Sequence, residues 1–106
     1  MAWIALITAG FFEVVWAYSM KQSAGFTKLV PTITTAIAMF ISCALLAWSM
    51  RTLSLGTAYV VWTGIGAVGA FIVGIVFLSE PVGWARLLAA GLIVSGLVVM
   101  KIATPA

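Results

Sequence analysis

In GFFEVVWAYSM, residues 10–20, one carboxylate stands among apolar, small and aromatic side chains. Glu13 is the only formally charged side chain in the first 20 residues. A carboxylate in such company needs a reason, and the reason depends on the solvent around it. The stretch is the second half of a longer apolar run, about residues 3–20, which ends at Lys21. Three further runs follow. One covers about 31–50 and ends at Arg51, one covers 57–78 and ends at SEPVG, and one covers 84–101 and ends at Lys101. Each is close to the ~20 residues that cross ~30 Å of hydrocarbon at 1.5 Å per residue.

Composition points the same way. Of 106 residues, 65% are hydrophobic and 7% charged, against roughly 45–50% and about 25% in ordinary globular proteins. A soluble chain this short cannot hide so much apolar side chain, because small domains bury only about 60–70% of their surface. Lipid accepts that surface, and it demands that backbone hydrogen bonds be satisfied within the chain, so the runs are expected to be α-helices. A β-barrel is disfavoured, since the runs are too long and do not alternate. The expectation is an all-α integral membrane protein, one domain over residues 1–106, with four transmembrane helices. No Lys or Arg precedes the first run, and the run outlasts a signal core, so it is read as a retained span. Pro31 fits the first turn of the second helix, where a missing N–H is harmless. Trp3, Trp48 and Trp84 lie near span ends and suit the interfacial belts. Trp16 and Trp62 lie deeper.

Several classes of function drop out. The net charge of +3 is small and scattered, which excludes a nucleic-acid surface. The chain has one cysteine, Cys43, and no histidine. That leaves no internal disulfide and argues against a zinc or haem site built from one chain. No cofactor, no metal and no enzymatic chemistry is expected.

Four spans put both termini on one side, with Arg51 and Lys101. The other side carries Lys21, Lys28 and Arg86. Orientation follows the Lys/Arg bias of short loops, and here that bias nearly vanishes. A weak bias can still select one orientation. Insertion both ways up is the alternative, and it lets two copies meet head to tail. Alternating access usually needs two inverted halves around a central site. Four helices without an internal repeat cannot supply them, whereas an antiparallel homodimer can.

Glu13 lies ten residues past Trp3, or ~15 Å along a helix, near the bilayer midplane. A charge there costs ~2.5–3.5 kcal/mol on insertion scales. Low dielectric penalises the ionised form, and a facing second copy would add to the penalty. Such a group holds a proton until a cation arrives to replace it, which is the physics of proton/cation exchange. The plainer alternative is a permanently protonated acid serving as hydrogen-bond glue between helices.

Neighbouring residues favour a site. Gly10, Trp16 and Ala17 stand at −3, +3 and +4 on the same helical face. The small ones would leave space, and the indole offers a π-face to a cation. On the third span, Tyr59 and Trp62 share a face and can donate hydrogen bonds, although either can be plain packing. Ser42, at similar depth on the second span, could equally bond its own backbone. Gly64 and Gly66 weaken the third helix at mid-height and form a candidate kink, with tight packing as the alternative. Ala89 and Gly96, two turns apart, suit a dimer contact by the fourth span. Glu80 is read as a solvated loop charge.

The segments GFFEVVWA, KQSAGFTKLVP, GTAYVVWTGIGAVGA and LIVSGLVVMK resemble the small multidrug resistance family over nearly the whole chain. Trp16 just after EVV, with the GTAYxxWTGIGAxGA pattern, is similar to its guanidinium-exporting branch. The resemblance implies an antiparallel, dual-topology homodimer in the bacterial inner membrane that exports guanidinium in exchange for protons. It implies that Glu13 binds both substrate and proton, surrounded by Gly10, Trp16, Ser42, Tyr59 and Trp62, and that the fourth span is the dimer contact. Ala89 departs from the glycine often found in the small-residue pattern there, yet still permits close packing. Guanidinium is planar and its N–H fork matches a carboxylate bidentately. Trp16 and Ser42 would then orient the carboxylates. The branch that exports quaternary ammonium compounds is the rival reading, with a non-transporting assembly subunit as a third.

Overall fold

A computed structural model describes residues 1–104, and it is all-α. Four helices follow in order: α1 (Ala2–Gln22), α2 (Leu29–Ser49), α3 (Leu55–Leu78) and α4 (Trp84–Ala103). All four are long and apolar enough to cross a membrane.

The breaks are made by local chemistry. After α1, buried Ser23 ties the turn: its hydroxyl donates to the Met20 carbonyl at 2.6 Å and accepts the Phe26 N–H at 3.0 Å. Ala24, Gly25 and Phe26 then take left-handed backbone angles, which glycine adopts freely and the other two do not. Pro31 falls in the first turn of α2, where no i−4 partner is missed. Ser54 caps α3, accepting the Thr57 N–H at 3.4 Å, the standard device for an orphan donor at a helix start. The exit of α3 turns back on itself. Ser79 is left-handed, and the Glu80 N–H donates to the Gly74 carbonyl at 3.0 Å.

Inside the helices, hydroxyls that would be unpaired in lipid bond to the carbonyl one turn back. Thr8, Thr32, Thr34, Thr35 and Ser95 all do so. This is how Ser and Thr satisfy themselves within an apolar helix.

Packing is lopsided. α1 lies against both α2 and α3, α2 and α3 barely touch, and the backbone of α4 comes close to α3 alone. The result is a slab of helices in the order α2–α1–α3–α4, with extents of 43 × 34 × 16 Å. Helix axes pack about 8–10 Å apart, so the short dimension leaves little room for a second layer. The core sits at the end that carries both termini: Leu6 and Ala9 of α1, Leu46 of α2, Leu53 before α3, and Ala58 and Val61 of α3. Trp3, Trp62, Ile65, Leu97 and Met100 pack around it. The Lys101 ammonium stands 4.6 Å from the Trp3 ring centre, a cation–π contact that joins the two terminal helices. Elsewhere the surface is apolar and bare: Phe40, Trp84 and Leu92 are each well over half exposed. α4 buries none of its residues.

Candidate functional site

The site forms where α1 crosses α3, and glycines set how close they come. A Cβ added at Gly10 would stand 2.6 Å from Ile65 Cγ2, and one at Gly69 would strike Val14. At Gly66 it would strike the Glu13 carboxylate itself. Gly66 is therefore the seat of the carboxylate: any side chain there evicts it. Gly10 has a different role from the one expected of it. Its missing side chain leaves no free space, because Ile65 fills the gap.

Glu13 is half-buried on α1, and its Oε1 is buried without a hydrogen-bond partner. One turn on, the Trp16 Nε1 is also buried and unpartnered. An acceptor and a donor stand unsatisfied within four residues of each other. Native interiors seldom leave such groups unpaired, since each costs about 1–3 kcal/mol.

Ser42 behaves unlike the other helix hydroxyls. It is fully buried, and its hydroxyl reaches across to α1, donating to the Ala9 carbonyl at 2.6 Å. It also accepts the Trp62 indole N–H at 2.9 Å. A relay thus runs from α3 through α2 to α1. In this arrangement the one Ser42 proton is engaged by Ala9 and does not reach Glu13. The Ala9 carbonyl belongs to the turn that precedes Glu13, so the relay braces the backbone carrying the carboxylate. Sequence reading paired Ser42 with the acid and missed Ala9, because a backbone acceptor has no residue-type signature.

The remaining expected residues divide. Tyr59 stacks on Trp62, with centroids 5.7 Å apart and planes tilted by 47°, but it is 52% exposed and faces out of the chain. α3 is unbroken through Gly64 and Gly66, and both are tightly packed. Gly64 abuts α4, where an added Cβ would lie 2.6 Å from Leu97 Cδ2. Ala89 and Gly96 are exposed on α4, and nothing lies within 4 Å of a Cβ at Gly96. Glu80 is exposed, yet its carboxylate rests on Gly74 rather than standing free in the loop. Among the described residues no group of three His, Cys, Asp or Glu side chains forms a metal-binding set.

An acid at mid-span, a tryptophan one turn on and a glycine-lined α3 beneath make a specific arrangement, and the chain matches the Small Multidrug Resistance protein family over residues 1–93. The chain belongs to the small multidrug resistance family. Three proteins each named "Guanidinium exporter" show how similar its relatives are. The one from Citrobacter freundii is 57% identical over 104 residues, covering 98% of this chain and 99% of the relative. The one from Salmonella typhimurium strain LT2 is 56% identical over 102 residues, covering 96% and 97%. The one from Escherichia coli K12 is 53% identical over 104 residues, covering 98% and 99%. With four apolar helices and this family membership, the chain is a multi-pass protein of the inner membrane. Of the candidate residues considered above, Gly10, Glu13, Trp16, Ser42, Tyr59, Trp62, Gly64, Gly66 and Ala89 fall inside the matched segment, and Gly96 lies just past it.

Proposed function

We propose that this chain exports guanidinium in exchange for protons, working as an antiparallel homodimer and needing no cofactor. One observation carries the reading: the Glu13 carboxylate is seated on Gly66 with an oxygen unpartnered, beside an unpartnered Trp16 N–H, in a chain more than half identical to exporters of that cation.

The chemistry follows from the orphaned groups. A buried carboxylate without a counter-ion holds a proton, because low dielectric penalises its charge. A guanidinium that reaches it supplies both the positive charge and paired N–H donors, and the proton leaves. Proton and substrate therefore exclude one another at Glu13. No covalent bond is made or broken, so the chain acts as a transporter and not as an enzyme.

Two copies supply what one lacks. The slab is one helix layer thick, α4 is unburied, and Tyr59 faces outward. A second, inverted copy would cover the open face, bring a second Glu13 opposite the first, and close the aromatic wall with both Tyr59 side chains. The unpartnered Trp16 N–H would then have a carboxylate to hold. Near-equal Lys/Arg counts on the two sides permit both orientations. Ala89 and Gly96 would take the partner's α4. Exchange between inward- and outward-open forms would bend α3 at Gly64 and Gly66, which requires Leu97 and Glu13 to shift with it.

Uptake into proteoliposomes holding this protein alone is the test, with guanidinium and a quaternary ammonium ion side by side. Guanidinium should move against an opposing proton flux. Lowering pH on the substrate side should raise the apparent KM, by up to about tenfold per pH unit for one competing proton. Transport of the quaternary ion alone would place the chain in the other branch, and no transport at all would leave the assembly role.

A further inference from the structure

The seam between α1 and α3 continues past Glu13. Glu13 meets Gly66. One turn on, Ala17 and Ala70 line a groove, and at its end Lys21, Gly74 and Glu80 line it too. The groove encloses about 200 Å³ and Tyr18 stands at its side. Ala17, Ala70 and Gly74 leave it open between the helices, and it ends in two opposite charges near the loops.

Glu80 is placed there by the backbone. The chain leaves α3 through Ser79 in the left-handed region, which a residue with a side chain adopts only under constraint. That turn, with the Glu80 N–H on the Gly74 carbonyl at 3.0 Å, folds Glu80 back along the helix it has just left. The carboxylate then lies where a Gly74 Cβ would be.

We propose that Glu80 is an outer cation-binding residue on the loop side of Glu13, with the Lys21 ammonium lining the same groove as a cation that competes with guanidinium. This rests on the exporter reading above. The carboxylate raises the local concentration of a cation before it enters the seam. Lys21, in the same groove, competes for the same carboxylate. Removing either therefore shifts apparent affinity in opposite directions, which a structural role for the turn does not predict.

The test measures guanidinium uptake by proteoliposomes of the full chain, at low and high salt, for the unaltered protein, Glu80→Gln, Lys21→Met and Gly74→Ala. Glu80→Gln should raise KM about fivefold, the scale of one partly screened charge interaction, and leave Vmax within about twofold. High salt should erase most of that difference, since a Debye length of about 3 Å at 1 M screens exposed charges. Lys21→Met should lower KM. Gly74→Ala should raise it with no change of charge, because the carboxylate loses its seat. An unchanged KM in Glu80→Gln, or a rise that salt does not reduce, overturns the proposal. If Glu80→Gln fails to insert, the other two variants decide: opposite shifts support the outer site, and no shift or shifts of one sign overturn it. Unaltered protein that moves no guanidinium would bring down the exporter reading and this inference together. Normal transport with wild-type KM in all three variants would bring down this inference alone.

Discussion

α1 and α4 are apolar helices of nearly equal length, 21 and 20 residues, and their surroundings are opposite. α1 is wedged between α2 and α3 and buries Ala5, Leu6, Ala9, Gly10 and Ser19. α4 leans mainly on α3, meets α1 only at its end through Lys101 and Trp3, and buries nothing. In water that difference would mark α4 as unstable. In lipid it does not, because tails are as apolar as leucine and give no hydrophobic reason to pack. What holds α1 in place is close backbone approach through glycines and a hydrogen-bond relay. α4 has the small residues and lacks the neighbour. The comparison separates a helix completed within its own chain from one that a second chain would complete.

Glu13→Gln on α1 should have the largest effect. It keeps the shape and abolishes the charge, so proton-coupled guanidinium exchange should fall to background while cross-linking still finds the dimer. Proton-driven transport by this variant would break the mechanism, whatever the fold. Next comes Gly66→Ala. Its methyl group would displace the carboxylate, and misplacing a reacting group by about 1 Å can cost about 100-fold. Gly10→Ala is the companion variant, since its methyl group meets Ile65 instead. Gly10→Ala should destabilise α1–α3 packing by about 1–3 kcal/mol, visible as a lower thermal midpoint in detergent, with a smaller loss of transport. If the two variants lost transport equally at equal stability, the carboxylate seat would not be special.

Gly96→Leu tests α4. Within one chain the new side chain meets open space, and replacing a mid-helix glycine favours the helix by up to about 1 kcal/mol. Any loss must therefore come from a partner. If two copies meet through this face, overpacking should weaken dimerisation by about 1–3 kcal/mol, read by concentration-dependent energy transfer in vesicles. A dimer of unchanged strength would show that α4 meets lipid there and that the contact lies elsewhere.

The same contrast explains what was legible beforehand. Four spans could be read off because lipid imposes a length and a composition, and Glu13 stood out because a charge at the midplane is rare. Helix neighbours could not be read. A soluble helix announces its buried face by polar residues opposite, but α3 is apolar all round, so Gly66 was read only as a candidate kink and nothing marked Gly69 or Gly74. Only coordinates show that the first seats one carboxylate, the second takes Val14, and the third seats another. Gly10 was read as open space for the same reason, since nothing local reveals that Ile65 fills it. Ser42 was picked out by depth, while its partner, the Ala9 carbonyl, was invisible.

Ser42→Ala should show the smallest effect and is the most informative about the relay. Removing the hydroxyl strands the Trp62 N–H and takes one donor from the Ala9 carbonyl, which keeps its helical bond. One buried orphan donor costs about 1–3 kcal/mol, so the thermal midpoint should fall by at least about 4 °C, on the scale of about 4–8 °C per kcal/mol at Tm for a domain of this size. Transport should fall only about two- to tenfold, because Glu13 and Gly66 are untouched. Ser42→Thr should restore the bond and most of the activity if the relay matters through its hydroxyl. Were Ser42→Ala instead as damaging as Glu13→Gln, the serine would have to meet the carboxylate directly in the working dimer. The bond to Ala9 would then belong only to the arrangement of a chain without its partner.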